Sequence, residues 1–512
     1  MMRIQVLDHV SIPAPSAPAS GWRRVLRDWI VVSGATAVCH AMGIATSLLL
    51  RMLLGPAQMG VWQAIKMLLS YGNYANLGIS KGAIRDYTIA LGRGQAAEGD
   101  RGLNLAFTFN TITSLVYAAI LLGAAIWVGW SGEGLFAGPW AVGLIVAGGL
   151  AILSRYVSFQ VTILRAQQAF ALTSRLAILE AALTLAIGGA ATWLWGLEGL
   201  YFGTLVVLVA AFLFVQACQR SALRWDFDGA EIRRLIGVGG PILLAGTMIT
   251  VFRSLDKLMI LSYLSDREFQ LGCYSVALMV SGQLYGLGNM LSVVMNPRYG
   301  EKFGQTGNRR EVAQLAAVAS ELHAAAMALP AALTVVLAVP ILHYILPDYR
   351  SGLPAVIWLA PGTVALVLSL PAGQYLVAVG RERRALLAIL PAIPLAALGN
   401  HLALTRSAGL TGVAAATASA YVAYMALVVA VSFWQQLDRA GRRRYLGLTA
   451  LGLAPTLTAA IALELRLPGQ QAGLAMTVGK AAAVIAVWTF SCGLGWQRGG
   501  WRELFRSRRQ TF

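Results

Sequence analysis

Apolar stretches separated by short clusters of charged and turn-forming residues run along almost the whole chain. A helix needs about 20 predominantly apolar residues to cross a hydrocarbon core about 30 Å thick. Windows of that length predict about fourteen transmembrane helices, with approximate limits of 29–54, 58–80, 102–129, 139–164, 175–195, 198–219, 236–263, 270–296, 314–346, 354–379, 384–404, 409–434, 446–465 and 471–495. Neighbours as close as 175–195 and 198–219 could merge, which keeps twelve open as the alternative count. The expected fold is an all-α polytopic membrane protein. Residues 1–20 read as a Pro/Ser-bearing tail without the apolar region of a signal peptide, and 21–28 as an interfacial lead-in.

The segments between spans alternate in charge. Arg23, Arg24 and Arg27 precede the first span, whereas Gly55, Pro56 and Ala57 follow it without a charge. Lys81, Arg85, Arg93 and Arg101 come next, then a loop holding only Glu133; Arg155, Arg165 and Arg175 are assigned to the fourth turn. Later basic clusters are Arg220 to Arg234, Arg298 to Arg310, Arg381 to Arg384, Arg439 to Arg444 and Arg498 to Arg509. Short cytoplasmic loops retain Lys and Arg, so both termini are expected in the cytoplasm. Trp127, Trp130, Trp140, Trp358, Trp434 and Trp496 fall near span ends, where an aromatic belt is expected.

Composition agrees with this pattern: 57% of the 512 residues are apolar and 12% charged, against about 25% charged in soluble domains. The net charge of +18 would suggest a nucleic-acid partner in a soluble chain, but here most of it marks topology, and no nucleic acid is expected. Cys39, Cys218, Cys273 and Cys492 lie singly in apolar stretches and read as core residues, with neither disulfides nor a metal site expected. The chain shows no P-loop, and its expected outer loops are too short to hold the acid/base carboxylates of a polymerase or glycosyltransferase. A secondary transporter is the default for such a bundle, with no cofactor beyond a proton or sodium gradient.

Five basic residues remain inside spans: Arg51, Lys66, Arg253, Lys257 and Lys480. Intramembrane charges are costly and face a cavity, pair with one another or snorkel. Arg51 is near enough to a span end to snorkel; Lys66 and Lys480 lie roughly 13 Å deep at about 1.5 Å per residue, beyond a lysine's reach. Arg253, Asp256 and Lys257 share one helix face. An Arg253–Asp256 ion pair would still leave Lys257 uncompensated. This excess of positive charge suits an anionic ligand, and a diphosphate matches an arginine fork plus lysine point charges. Asp256, Glu180, Glu321 and His323 are the candidates for ion coupling, although Glu321 and His323 sit where the long span is expected to project into water.

The segment Arg51 to Arg85, with Arg51-x-x-Leu54-Gly55-Pro56 followed by Gly60, Trp62 and Leu77-Gly78, resembles the opening of Wzx-type polysaccharide exporters of the multidrug/oligosaccharidyl-lipid/polysaccharide (MOP) superfamily. Arg253 to Ala277 is similar to that family's seventh helix, with Asp256-Lys257 and a Gly272-x-Tyr274 turn, while Asn76 stands where such families often carry Asp. Gly60-Val61-Trp62 and Gly272-Cys273-Tyr274 each open an even-numbered span and suggest two homologous halves. The expected organisation is 29–219 for one six-helix lobe, 220–235 for a linker, 236–434 for a second lobe, and 435–512 for two extra spans and a basic tail.

The resemblance implies alternating access of two MATE-like lobes in a bacterial cytoplasmic membrane. The implied cargo is a polyprenyl-diphosphate-linked oligosaccharide, with membrane lipids and polysaccharide polymerase or assembly proteins as further partners. A multidrug antiporter on the same fold and a membrane polymerase or glycosyltransferase are the alternatives.

Overall fold

A computed structural model describes residues 21–92, 96–131, 139–218, 223–466 and 473–497. It contains sixteen α-helices and no strand among the described residues. They are α1 Gly21–Leu53, α2 Pro56–Gly72, α3 Ile79–Gly92, α4 Ala96–Ser131, α5 Pro139–Ala166, α6 Phe170–Leu183, α7 Gly189–Cys218, α8 Gly229–Phe252, α9 Leu255–Tyr263, α10 Arg267–Thr306, α11 Arg309–Pro340, α12 Leu353–Ala378, α13 Glu382–Thr405, α14 Gly409–Val431, α15 Arg439–Arg466 and α16 Leu474–Gln497. The tail 1–20, the loop carrying Glu133 and the basic segment from Arg498 lie outside the described residues, as does the side chain of Trp496.

By length and hydropathy, ten helices among the described residues can cross a membrane, or eleven if the pair bent beyond Pro241 is one span. One of the ten, Phe170–Cys218, is folded back on itself. Trp195 (φ −128°) and Gly196 (φ +58°) leave helical geometry, a turn that glycine permits. A Cβ on Gly199 would fall 1.8 Å from the Ala191 carbonyl oxygen, and one on Gly203 2.8 Å from Gly188 Cα. The two arms therefore run antiparallel in backbone contact, and the division anticipated between 195 and 198 is a tight turn.

Two further spans are interrupted. Between α2 and α3, Leu77 (φ +51°) and Gly78 (φ +89°) turn the chain. Asn76 Oδ1 accepts the Gly78 N–H at 3.0 Å and its amide donates to Ser80 Oγ at 3.3 Å, a local side-chain turn that starts α3. Between α8 and α9 the helical pattern breaks at Arg253 and Ser254. The preceding linker ends at Asp228, whose carboxylate accepts the Ala230 and Glu231 N–H groups and caps α8.

Helices α1 to α7 meet the rest of the bundle chiefly through α2 on α10 and α3 on α8. The first contact is reciprocal: a Cβ on Gly60 would lie 1.8 Å from the Glu268 carbonyl oxygen, and one on Gly272 1.7 Å from that of Pro56. The two glycines of the suspected repeat thus pack across a local pseudo-two-fold relation. At the opposite end Gly82 meets the Leu235 carbonyl, and Gly78 and Gly239 pack backbone to backbone. Helices α15 and α16 pair with each other and cover α11.

The aromatic belt needs correcting. Trp127, Trp130 and Trp358 are exposed on the bundle's flank. Trp140 is buried, its indole N–H donating to Glu268 Oε1 at 3.0 Å, and half-buried Trp434 lies under the Arg442 guanidinium at 5.3 Å.

Candidate substrate cavity

Between the two glycine seams lies a cavity of about 440 Å³ bounded by α2, the α8–α9 break, α10 and α14. Both helix breaks open onto it: Asn73 and Tyr74 come from the first, Thr250, Arg253 and Ser254 from the second. Lys66, Arg253 and Lys257 all line it, so three of the five intramembrane cations meet in one space. The described residues that line it include no carboxylate; the remaining polar groups are Gln63, Ser70, Tyr71, Asn73, Tyr74, Thr250, Ser254, Ser281 and Tyr421.

The Arg253–Asp256 ion pair weighed from the sequence does not form. Arg253 stacks over the Tyr285 ring, 4.0 Å from its centroid, and meets the Tyr421 hydroxyl. Asp256, only 1% exposed, is turned into the core. Its Oδ2 accepts the Tyr274 hydroxyl at 2.8 Å, and its Oδ1 accepts the Lys257 backbone N–H at 2.8 Å. Removing the carboxylate from the wall leaves the cavity surface positive. Across the cavity the Tyr71 hydroxyl donates to Ser254 Oγ at 2.8 Å, and the Tyr74 hydroxyl bonds Thr250 Oγ1, tying α2 to the α8–α9 break.

The other predicted site residues lie elsewhere. Arg51 is buried at the Pro56 end and does not snorkel. It donates to the Ser47 carbonyl at 2.8 Å, to Ser47 Oγ at 2.5 Å and to the Ser275 carbonyl of α10 at 2.8 Å, so it joins the halves from behind the cavity lining. Lys66 lies within electrostatic range of both Arg51 and Lys257. Lys480, expected in the cavity, instead makes a 2.8 Å ion pair with Glu464 between α15 and α16; that carboxylate supplies the counter-charge assigned above to a ligand.

Glu180 is half-buried on α6, within range of Arg165 and outside the cavity lining. Glu321 and His323, expected to project into water, are both buried, because α10 and α15 cover that face of α11. His323 bonds Ser292 Oγ at 3.0 Å and the Ala319 carbonyl at 2.7 Å.

Arg155 was the cation that positional reading misplaced. It is 3% exposed in the interior of α5, not in a loop, and its Nη2 donates to Asn110 Oδ1 at 2.8 Å and Thr113 Oγ1 at 2.9 Å on α4. Its position eleven residues before the end of α5 was the available signal. The tyrosines Tyr71, Tyr74 and Tyr421 were also missed, since aromatic residues inside apolar spans look like packing.

Residues 49–347 match the family described as Polysaccharide biosynthesis protein, a segment holding α2 to α11 and every cavity cation. The chain belongs to that family. No curated protein matches the sequence. Among solved structures, lipid II flippase MurJ in an inward closed conformation is similar with a TM-score of 0.66 at 12% identity, over 92% of this chain and 99% of its own. An inward-facing MATE family multidrug resistance transporter of the MOP superfamily is similar with a TM-score of 0.59 at 15% identity, over 82% of this chain and 98% of its own. A MOP superfamily transporter from Pyrococcus furiosus gives 0.56 at 13% identity, over 82% and 96%. This polysaccharide biosynthesis protein is thus a multi-pass membrane protein with the fold of MOP superfamily transporters.

Proposed function

We propose that the protein is a secondary transporter that flips a polyprenyl-diphosphate-linked oligosaccharide across the bacterial cytoplasmic membrane by alternating access. In this reading the two six-helix halves move about the cavity, α15 and α16 flank the second half as the last of fourteen spans, and both termini are cytoplasmic. The observation that carries it is a cavity with three cations and no carboxylate among its described lining residues. A diphosphate supplies the missing negative charge: Arg253 can engage two phosphate oxygens with its fork, and Lys66 and Lys257 act as point charges. Hydroxyls and amides of Tyr71, Tyr74, Asn73 and Gln63 suit the first sugar, and about 440 Å³ lies within the usual size of ligand pockets. An organic cation would meet three like charges, which disfavours a multidrug role.

No cofactor enters this mechanism; Asp256, backed by Lys257 and Tyr274, is the proposed coupling group for a proton or sodium gradient. Membrane lipids surround the bundle, and polysaccharide assembly proteins are the proposed downstream partners. The test is flipping of a fluorescent polyprenyl-diphosphate glycan in proteoliposomes. Charge-assisted hydrogen bonds contribute about 1.5–3 kcal/mol each, so Arg253→Ala and Lys66→Ala should each slow flipping about tenfold or more while inserting normally. Full flipping by both variants would overturn the assignment.

A further inference from the structure

Three turns of the second half meet at the end opposite Pro56: residues 306–311 leading into α11, 379–384 between α12 and α13, and 432–444 leading into α15. Arg310 pairs with Asp438 at 3.0 Å, and Arg384 Nη1 donates to Gln435 Oε1 at 3.0 Å, so the third turn is tied to both of the others. Together they carry nine arginines against three carboxylates. Two of these carboxylates are engaged, Asp438 by Arg310 and Glu311 by Lys302 at 2.8 Å, and Glu382 is exposed. Short cytoplasmic loops collect arginines for topological reasons alone, so this surplus by itself marks no site.

A tyrosine at its centre adds a second observation. Gly380, at φ +67°, wraps the end of α12: its N–H returns to the Val377 carbonyl at 3.1 Å, and the Arg381 N–H returns to the Leu376 carbonyl at 2.7 Å. Arg381 is thereby folded back over the last turn of α12, and Arg309, Arg381 and Arg384 all come within electrostatic range of the Tyr375 hydroxyl. Tyr375 is 2% exposed, with its ring in the core. Among the described residues its hydroxyl has no hydrogen-bond partner, and it is not one of the enclosed orphan atoms, so the small surface that Tyr375 keeps includes its polar end. Topology explains arginines on this side of the membrane; it does not explain a buried phenol whose donor opens among three of them. A ligand there must be anionic and accept hydrogen bonds from several directions. Guanidinium forks match carboxylate and phosphate alike. Three of them, from the start of α11, the α12–α13 turn and the first turn of α13, suit a tetrahedral phosphate better than a planar carboxylate, and the phenol donates to a further oxygen. The N-terminus of α13 also lacks a side-chain cap, which leaves amide N–H groups for an anion.

We propose that Arg309, Arg381, Arg384 and the Tyr375 hydroxyl form a binding site for a lipid-borne phosphate. The site lies at the ends of the membrane-length helices α11, α12 and α13, the level at which basic pockets meet lipid headgroups, and it shares no residue with the lining of the central cavity. The phosphate belongs either to an anionic phospholipid of that leaflet or to a polyprenyl diphosphate. The site does not depend on which cargo the central cavity carries.

The test is native mass spectrometry of the full chain in detergent, titrated separately with phosphatidylglycerol, polyprenyl diphosphate and diacylglycerol, the last of which has no phosphate. The wild type should bind at least one of the two phosphate lipids and leave diacylglycerol unbound. Arg309→Gln combined with Arg381→Gln should weaken that binding about tenfold or more, and Tyr375→Phe about threefold or more. Tyr375→Phe removes only a hydroxyl without an intramolecular partner, so it guards against misfolding as the cause. Arg383→Gln makes the same charge change at an exposed neighbour in the same turn and should leave binding unchanged, as should Lys66→Ala. An equal loss in Arg383→Gln, no loss in Tyr375→Phe, or equal binding of diacylglycerol would reduce the patch to diffuse attraction and overturn the proposal. Loss confined to Lys66→Ala would place the lipid in the central cavity and overturn it too, and displacement by an equal concentration of inorganic phosphate would reassign the site to the free ion. Tighter binding of phosphatidylglycerol supports a membrane phospholipid as the ligand, and tighter binding of polyprenyl diphosphate supports the cargo. Site-dependent binding without flipping would leave this site standing and remove the flippase reading; flipping without such binding would do the reverse.

Discussion

Lys66 and Lys480 are both lysines deep in apolar helices, and their neighbours give them opposite parts. Lys66 reaches into a cavity shared with Arg253 and Lys257, while Lys480 is closed off by Glu464, the two side chains only 4% and 10% exposed. Breaking a buried ion pair from one side leaves an uncompensated charge, a loss of about 3–5 kcal/mol. Lys480→Met should therefore lower the thermal midpoint in detergent, and adding Glu464→Leu should restore most of it. Flipping by the double variant should match the wild type, since neither residue lines the cavity; an unchanged midpoint in Lys480→Met would show that the pair contributes little. Lys66 and Arg253 were legible from the sequence because depth in a span can be read by counting residues from its ends. The partners of Lys480 and Arg155 were not, because those contacts cross between helices and one-dimensional spacing does not fix which faces meet.

At the scale of elements, α2 and α10 touch through Gly60 and Gly272, with no room for a methyl group on either. Gly60→Ala combined with Gly272→Ala should force the Pro56 end apart, because each new Cβ would sit within 2 Å of a backbone carbonyl oxygen and core overpacking costs about 1–3 kcal/mol per site. Spin labels on α2 and α10 should report a longer distance or a second, open population by electron double resonance. An unchanged distance distribution would refute the seam as a closed gate. The two glycine motifs were visible as a repeat in the sequence; that they face each other reciprocally was not, since the repeat gives equivalence between halves and not the axis relating them. The hairpin at Trp195–Gly196 was anticipated between 195 and 198 because two apolar runs there flank a break, although hydropathy and length alone merge them.

For the whole molecule, side-chain contacts bridge the two halves at both ends of the cavity. At the Pro56 end Arg51 reaches Ser275, and the Tyr349 hydroxyl donates to the Leu54 carbonyl at 2.6 Å. At the other end Arg234 of α8 pairs with Asp86 of α3 at 2.5 Å, and Arg101 of α4 pairs with Asp228 at 3.0 Å. These latter pairs are partly exposed; such pairs contribute about 0.2–1 kcal/mol each and weaken with salt. Asp86→Asn should therefore raise amide hydrogen exchange in α3 and the start of α8 a few-fold at low ionic strength, and high salt should bring the wild type towards the same level. Identical exchange in both proteins at low salt would show that this pair does not hold α3 and α8 together.

The sequence by itself determined that the chain is a helical membrane bundle, that it carries cations too deep to be topological, and that Arg253, Asp256 and Lys257 lie together on one span. These are properties of run length and local periodicity, which the chain carries in one dimension. The tertiary structure decided which cations share a cavity, that Asp256 turns away to Tyr274 while Lys480 turns to Glu464, that Arg155 is buried against α4, and that Glu321 and His323 are covered. Those outcomes depend on which helix faces meet, and only packing of the whole bundle sets them.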